Sequence, residues 1–372
     1  MFSLRVRVVG FIAAIQSILF VAHWFVYETW THLRADPDPP GITHLQVALA
    51  VLSVSFVAAT LLAFRYSNLW VRWFYRIASV WLGVLNFCFV AACACWVVYL
   101  GSLLLGLRLD RPAIAGTLFG LVMLTSIYGI INARWVRVKR IKVALASLPP
   151  SWRGRVAAVV SDVHLGHVNG SGFIRRIVAM LRRLRPDVVF ITGDLYDGTT
   201  VNPDALAAPW KDLSPPFGTY FVTGNHEEFS DPTRYLDAVK SSGIRVVDNE
   251  TVTVDGLQIV GVPYRDSANP DRLRSILEHA SLDRSRASIL LAHAPHGLPI
   301  ADEQGITLQL SGHTHGGQLF PFTWFTRQVF GEYAYGLKRF GKLMVYTSSG
   351  AGTWGPPMRV GTRPEIALIE FE

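Results

Sequence analysis

Cysteine is scarce. Cys88, Cys93 and Cys95 are the three in 372 residues, and all fall in one apolar run. No thiol is left to staple an extracellular domain. Charge is sparse too: Asp, Glu, Lys and Arg make up 17% of the chain, against about 25% in an ordinary soluble protein. Four long stretches, residues 8–27, 45–64, 80–106 and 113–133, contain no charged side chain at all. Internal repeats and low-complexity tracts are absent. A disordered chain, a collagen and a disulfide scaffold are thereby excluded. What is present is apolar: 51% of residues are hydrophobic and the mean hydropathy is +0.31. The chain reads as part membrane protein, part globular domain.

A spanning helix needs about 20 apolar residues, and each of the four stretches supplies them. The first is too long for a signal-peptide core and is followed by further spans, so cleavage is not expected. Residues 1–150 carry 13 Lys and Arg against 4 Asp and Glu, while the remainder carries 22 against 23. The basic excess belongs to the membrane part, and a nucleic-acid partner is not expected. Arg5 and Arg7 precede the first stretch. Arg34, Asp36 and Asp38 lie in the first loop, Arg65, Arg72 and Arg76 in the second, Arg108 and Arg111 in the third. Arg134, Arg137, Lys139, Arg140 and Lys142 follow the last. The positive-inside rule puts the N-terminus and the C-terminal domain in the cytoplasm, at an inner or plasma membrane, although the third loop runs against it. The cluster at 134–142 reads as a basic linker resting on anionic lipid heads. The expected division is a transmembrane region with linker at 1–150 and a soluble domain at 151–372. A transporter would want ionisable groups in its spans; Gln16, His23 and Asn86 are the main polar residues there.

Beyond residue 150 short apolar runs alternate with helical patterns. Strands are expected at 155–161, 187–192, 219–223, 244–247, 251–254, 258–262, 288–292, 307–310, 343–347 and 365–371, and helices at 172–184, 232–241 and 271–279. This is the pattern of an α/β fold. Polar clusters stand at the ends of five runs: Asp162-Val-His164, Gly193-Asp194-Leu-Tyr-Asp197, Gly224-Asn225-His226-Glu227, His293, and Gly312-His313-Thr-His315. Ligands of open α/β sheets bind beyond the carboxyl ends of strands, so the five clusters can converge. Carboxylate, imidazole and amide oxygen without thiolate suit a hard or borderline divalent ion such as Mn²⁺, Fe²⁺ or Zn²⁺. A shared Asp194 would hold two ions about 3.5–4 Å apart.

In these five motifs, taken in order, the sequence resembles the calcineurin-like metallophosphoesterases. The resemblance spans about residues 150–372. It implies a four-layer α/β/β/α domain behind the four transmembrane helices. It implies one ion held by Asp162, His164, Asp194 and His315, and a second held by Asp194, Asn225, His293 and His313, with Mn²⁺ the first choice and Fe²⁺ or Zn²⁺ the alternatives. His226 would contact phosphate and protonate the leaving group, with Asp194 bridging; Asp197 and Glu227 would orient the ligands. The activity implied is hydrolysis by metal-activated water of a phosphodiester or pyrophosphate; the four spans argue for a phosphate-containing substrate on a lipid or nucleotide-lipid. The C-terminal Gly312-His-Thr-His-Gly-Gly-Gln318, Tyr333-Ala-Tyr-Gly336 and Ser348-Ser-Gly-Ala-Gly352 are similar to the membrane-associated bacterial subgroup, which includes proteins resembling UDP-2,3-diacylglucosamine pyrophosphatases. Four spans ahead of such a domain resemble the transmembrane phosphoesterases of animals. The alternatives are a phosphomonoesterase, a phosphoprotein or cyclic-nucleotide phosphatase, and a non-catalytic membrane sensor or scaffold. Protein partners are not indicated. His167 and His296 read as surface turns, with a place at the edge of the site as the alternative. The aromatic segment 319–335 either packs on the domain or meets lipid.

Overall fold

The computed structural model describes residues 4–34, 41–229 and 231–372. Asp36 and Asp38, used above for topology, lie outside the described residues, as do the side chains of Arg5 and Arg7. Two compact units result: one runs to Ile131 and takes in Gly355–Met358, and the other comprises Asn132–Trp354 and Arg359–Glu372.

The chain up to Arg134 holds four helices long and apolar enough to cross a membrane: α1 (Leu4–His32), α2 (Ile42–Ala63), α3 (Leu69–Leu104) and α4 (Arg111–Arg134). The helix α3 starts eleven residues before the apolar run that announces it. Asn68 caps it by accepting from the Val71 N–H. Arg72 and Arg76 end the apolar run but not the helix, because long basic side chains at a span's end reach out to water. The few polar side chains join helices. Trp81 Nε1 donates to His23 Nε2 at 2.8 Å, Trp96 Nε1 to Thr29 Oγ1 at 2.9 Å, and Gln16 Nε2 to the Ser53 carbonyl at 2.9 Å. Such bonds hold helices together in lipid, where an unpaired polar group is costly.

The second unit contains two six-stranded sheets. Its strands are β1 (Arg137–Val143), β2 (Val156–Val160), β3 (Val188–Ile191), β4 (Thr219–Phe221), β5 (Arg245–Val246), β6 (Glu250–Val254), β7 (Leu257–Val262), β8 (Ser288–Ala292), β9 (Leu308–Ser311), β10 (Gly336–Phe340), β11 (Leu343–Thr347) and β12 (Glu365–Phe371). The first sheet has the order β1-β12-β2-β3-β4-β5 and the second β10-β11-β9-β8-β7-β6. β2 to β5 run parallel, as do β7, β8, β9 and β11.

Side chains alternate across each strand, so both faces of both sheets are covered. Ala157, Val159, Val188 and Phe190 meet Ile259, Ile289, Leu291 and Leu310 between the sheets. Ala158, Val160, Val189 and Ile191 face Ile174, Ile177 and Leu181 of helix α5 (Ser171–Leu184). Val260, Leu290 and Ala292 face Leu273, Leu277 and Ile300 on the far side. Helices, two sheets and helices give the expected four layers.

Two strands escaped the sequence. The stretch Arg137–Val143, expected above as linker, is an edge strand parallel to β12. Four of its seven residues are basic, Arg137, Lys139, Arg140 and Lys142, and they charge a sheet edge against further pairing. β10 pairs antiparallel with β11 and was masked by its Lys338 and Arg339.

Trp152 fills the inter-sheet core. It is fully buried, its ring lies 4.7 Å from Phe217 and 5.7 Å from Phe371, and Nε1 donates to the Val254 carbonyl at 2.9 Å. Trp152→Ala should destabilise this domain by about 3–5 kcal/mol. Scanning calorimetry in detergent should show its unfolding transition lowered by at least about 6 °C, and Trp152→Phe should lose less.

Candidate metal centre

The polar clusters follow β2, β3, β4, β8 and β9, so each begins where a buried strand ends. Three of these strands are neighbours in the first sheet and two in the second, and the site lies where their carboxyl ends face each other. Gly224 and Gly312 permit the approach. A Cβ on Gly224 would strike the Asp194 carboxylate, and one on Gly312 would strike Ser161 and Asp162. The turns are strained as well as tight. Asp162, His164, Asp194, His313 and His315 all have φ between 49° and 67°, the left-handed region. Each such non-glycine residue costs on the order of 1–3 kcal/mol, which the surrounding fold must offset.

The structure brings the expected residues together. Asp162, His164 and His315 form one group of ligand atoms within 4.8 Å of one another, and Asp194, His293 and His313 form another. His164 Nε2 is 3.0 Å from His315 Nε2, which is 3.4 Å from Asp162 Oδ1. Asp194 Oδ2 stands between the groups, 3.1 Å from His293 Nε2 and 3.7 Å from His164 Nε2. His226 Nε2 is 3.9 Å from the same oxygen, so a third triplet of His164, Asp194 and His226 also lies within ligand distance. Asn225 is half-buried, and its Oδ1 has no hydrogen-bond partner.

The hydrogen bonds test whether this donor set fits a cation. His293 Nδ1 donates to the Thr192 carbonyl at 2.7 Å, so Nε2 of the neutral ring carries a lone pair. That lone pair faces a carboxylate oxygen. Two acceptors at such a distance repel unless a positive charge lies between them. The unpartnered amide oxygen of Asn225 makes the same demand. The residues therefore fit divalent ions.

The titrating groups respond to this crowding. Burial, reinforced by neighbouring charges, holds the His164 and His315 rings well below the ordinary imidazole value and His313 down to about 3, so all three keep free lone pairs. Burial works against ionised Asp194, but the facing His293 and His226 overcome it and hold the carboxyl well below its usual range. Burial likewise disfavours a charged His293, yet the Asp194 carboxylate carries it up to about 10, so a proton and a metal ion compete for the place between Nε2 and Asp194. Burial pushes Asp162 up to about 6, against the pull of His293.

Glu227 and Asp197 act on the loops. The buried Glu227 carboxylate accepts from the backbone N–H groups of Asp194, Tyr196 and Gly224, at 3.1, 2.8 and 2.9 Å. It thereby ties the loop after β3 to the loop after β4. Asp197 accepts from the Thr199 backbone N–H at 2.9 Å, and its own carbonyl accepts from His226 Nδ1 at 2.9 Å.

Arg359, Phe229 and Trp354 were not read from the sequence, in which His167 and His296 read chiefly as surface turns. Arg359 is fully buried, and its guanidinium reaches the His315 carbonyl at 3.0 Å, the His315 ring at 3.1 Å and the Gly352 carbonyl at 2.6 Å. Phe229 and Trp354 flank His226, with ring centroids 4.3 and 5.5 Å away. His167 is buried rather than in a surface turn: its Nδ1 lies 3.0 Å from Thr199 Oγ1, which joins it to the Asp197 loop. His296 edges the second group, 6.4 Å from His313. The only sequence signal for these was their nearness to the motifs, and Arg359 lacked even that.

Comparison with known proteins agrees with this geometry. The family model "Calcineurin-like phosphoesterase" matches residues 156–317, which include all seven candidate ligands. A transmembrane protein with metallophosphoesterase domain from Danio rerio is 30% identical over 97% of this chain and 89% of its own length. An uncharacterized metallophosphoesterase of Aquifex aeolicus is 31% identical over 68% of this chain and 98% of its own. The Bos taurus transmembrane protein with metallophosphoesterase domain is 34% identical over 70% and 62%. With four membrane-length helices ahead of a two-sheet domain and its convergent ligands, the chain belongs to the calcineurin-like phosphoesterases, as a membrane protein carrying a metal-dependent phosphoesterase domain.

Proposed function

We propose that this membrane protein is a dinuclear-metal phosphohydrolase that cleaves a phosphodiester or pyrophosphate on a lipid or nucleotide-lipid at the cytoplasmic face. The observation that carries this reading is Asp194 Oδ2, set between two groups of ligands and faced by imidazole nitrogens from three loops. One ion would be held by Asp162, His164, Asp194 and His315, and the other by Asp194, Asn225, His293 and His313. When bound, the ions supply Lewis-acid neutralisation of phosphoryl charge and an activated water, Mn²⁺ being the first choice.

The protein's own groups do the rest. His226 donates through Nδ1 to the Asp197 carbonyl, which fixes its ring and turns Nε2 toward Asp194 and the substrate. A proton on Nε2 is then held where a leaving oxygen would need it. Its backbone N–H donates to Asp194 Oδ1 at 2.9 Å, so acid and bridging carboxylate move as one. Phe229 and Trp354 shield that proton from bulk water. The basic residues around the spans favour the cytoplasmic face, and four spans on one chain favour a substrate held in the membrane.

Two outcomes are expected of detergent-purified full-length protein assayed on bis(p-nitrophenyl) phosphate. His226→Ala should lower kcat by about 10²–10⁴-fold, the worth of a positioned proton donor, while metal analysis still finds two ions per chain. Loss of metal from that variant would make His226 a ligand instead. Stripping metal with a chelator should abolish turnover, and Mn²⁺ should restore it; Asp194→Asn should lower both metal content and turnover, and Mn²⁺ should not restore them. Full activity in Asp194→Asn would overturn the bridging role, and monoester turnover without diester turnover would replace the proposed bond by a phosphomonoester.

A further inference from the structure

The aromatic segment behind the last metal motif is folded but not buried. Phe322–Phe330 is a nine-residue helix in which no side chain is buried. Phe322, Trp324 and Phe325 are each at least 50% exposed, Val329 is 75% exposed, and Phe320 just before the helix is 50% exposed. The rings touch one another: Trp324 lies 4.9 Å and Phe322 6.2 Å from Phe325. A continuous apolar patch of this kind on a soluble face marks an interaction surface. The far end of the same helix reaches the metal centre. Phe330 stacks on His296 at 5.7 Å and lies 6.1 Å from the His313 ring.

We propose that the helix Phe322–Phe330 lies in the headgroup layer of the bilayer that this chain spans, and that it delivers lipid-borne phosphate to the metal centre beside Phe330. The second half rests on the phosphohydrolase reading; the first half does not. Three observations favour a bilayer over a second copy or a soluble protein. The fourth span ends at Arg134 and the first strand begins at Arg137, so only Trp135 and Val136 separate them. Three residues of chain reach at most about 11 Å, which keeps the start of this sheet at the membrane surface. Trp135 is 65% exposed, and the Arg137 guanidinium lies 4.5 Å over its ring. Tryptophan paired with a cation is what the membrane interface collects. Finally, residues 319–330 contain no acid and one base, Arg327, so anionic headgroups meet no repulsion.

The test uses the full-length chain in vesicles of phosphatidylethanolamine and phosphatidylglycerol. A nitroxide is placed by Phe325→Cys in a Cys88→Ala, Cys93→Ala, Cys95→Ala background. Its control is Lys211→Cys, an exposed position ahead of the amino end of β4, whose other end faces the metal centre. Spin relaxation should show position 325 rich in oxygen collisions and shielded from a water-soluble nickel complex, with position 211 the reverse. Equal nickel access at both positions would overturn the proposal. A second arm compares Trp324→Ser, Phe325→Ser with wild type. Its kcat/KM on vesicle-borne CDP-diacylglycerol should fall about tenfold or more, with bis(p-nitrophenyl) phosphate unaffected. Equal loss on both substrates, or loss on neither, would overturn delivery by this helix. A wild type inactive on both, with a buried nitroxide, would sink the phosphohydrolase reading and leave the membrane contact standing.

Discussion

One oxygen of Asp194 faces three imidazole nitrogens, at 3.1, 3.7 and 3.9 Å, and all four side chains are buried. A carboxylate and several lone pairs cannot be buried together without a compensating cation. Much else in the domain follows from holding them there. The two sheets must aim their strand ends at one point. Five residues must adopt left-handed backbone. Glu227 must bind three backbone N–H groups so that two strained loops keep their places. The four-layer packing around fully buried strands gives the rigidity that offsets this strain.

The site was legible in the sequence because its chemistry is local to strand ends. Asp162 and His164, or His313 and His315, sit two apart directly after an apolar run, and a reader needs only the period of a strand to see them converge. The same locality shows Asp194 and Asn225. Arg359 could not be read this way. It touches His315 from 44 residues away, and nothing in its neighbourhood resembles a ligand motif. Phe229 and Trp354 likewise gain meaning only from the ring they flank.

The fold was legible wherever apolar runs were clean. It was not where charge interrupted them. β1 hid because basic residues on an exposed sheet edge look like a lipid-facing linker. The start of α3 at Leu69 hid because Arg72 and Arg76 break the hydropathy while leaving the helical hydrogen bonds intact. His167 looked like a surface residue because the burial of its turn by the Thr199 loop is a tertiary event.

The central claim is that two ions share Asp194. Electron paramagnetic resonance of the Mn²⁺-loaded full-length protein tests it most directly, since ions about 3.5–4 Å apart through one carboxylate are magnetically coupled. The account predicts the multiline spectrum of an exchange-coupled pair, collapsing in Asp194→Asn. An isolated six-line spectrum, at full metal loading of the wild type, would contradict it.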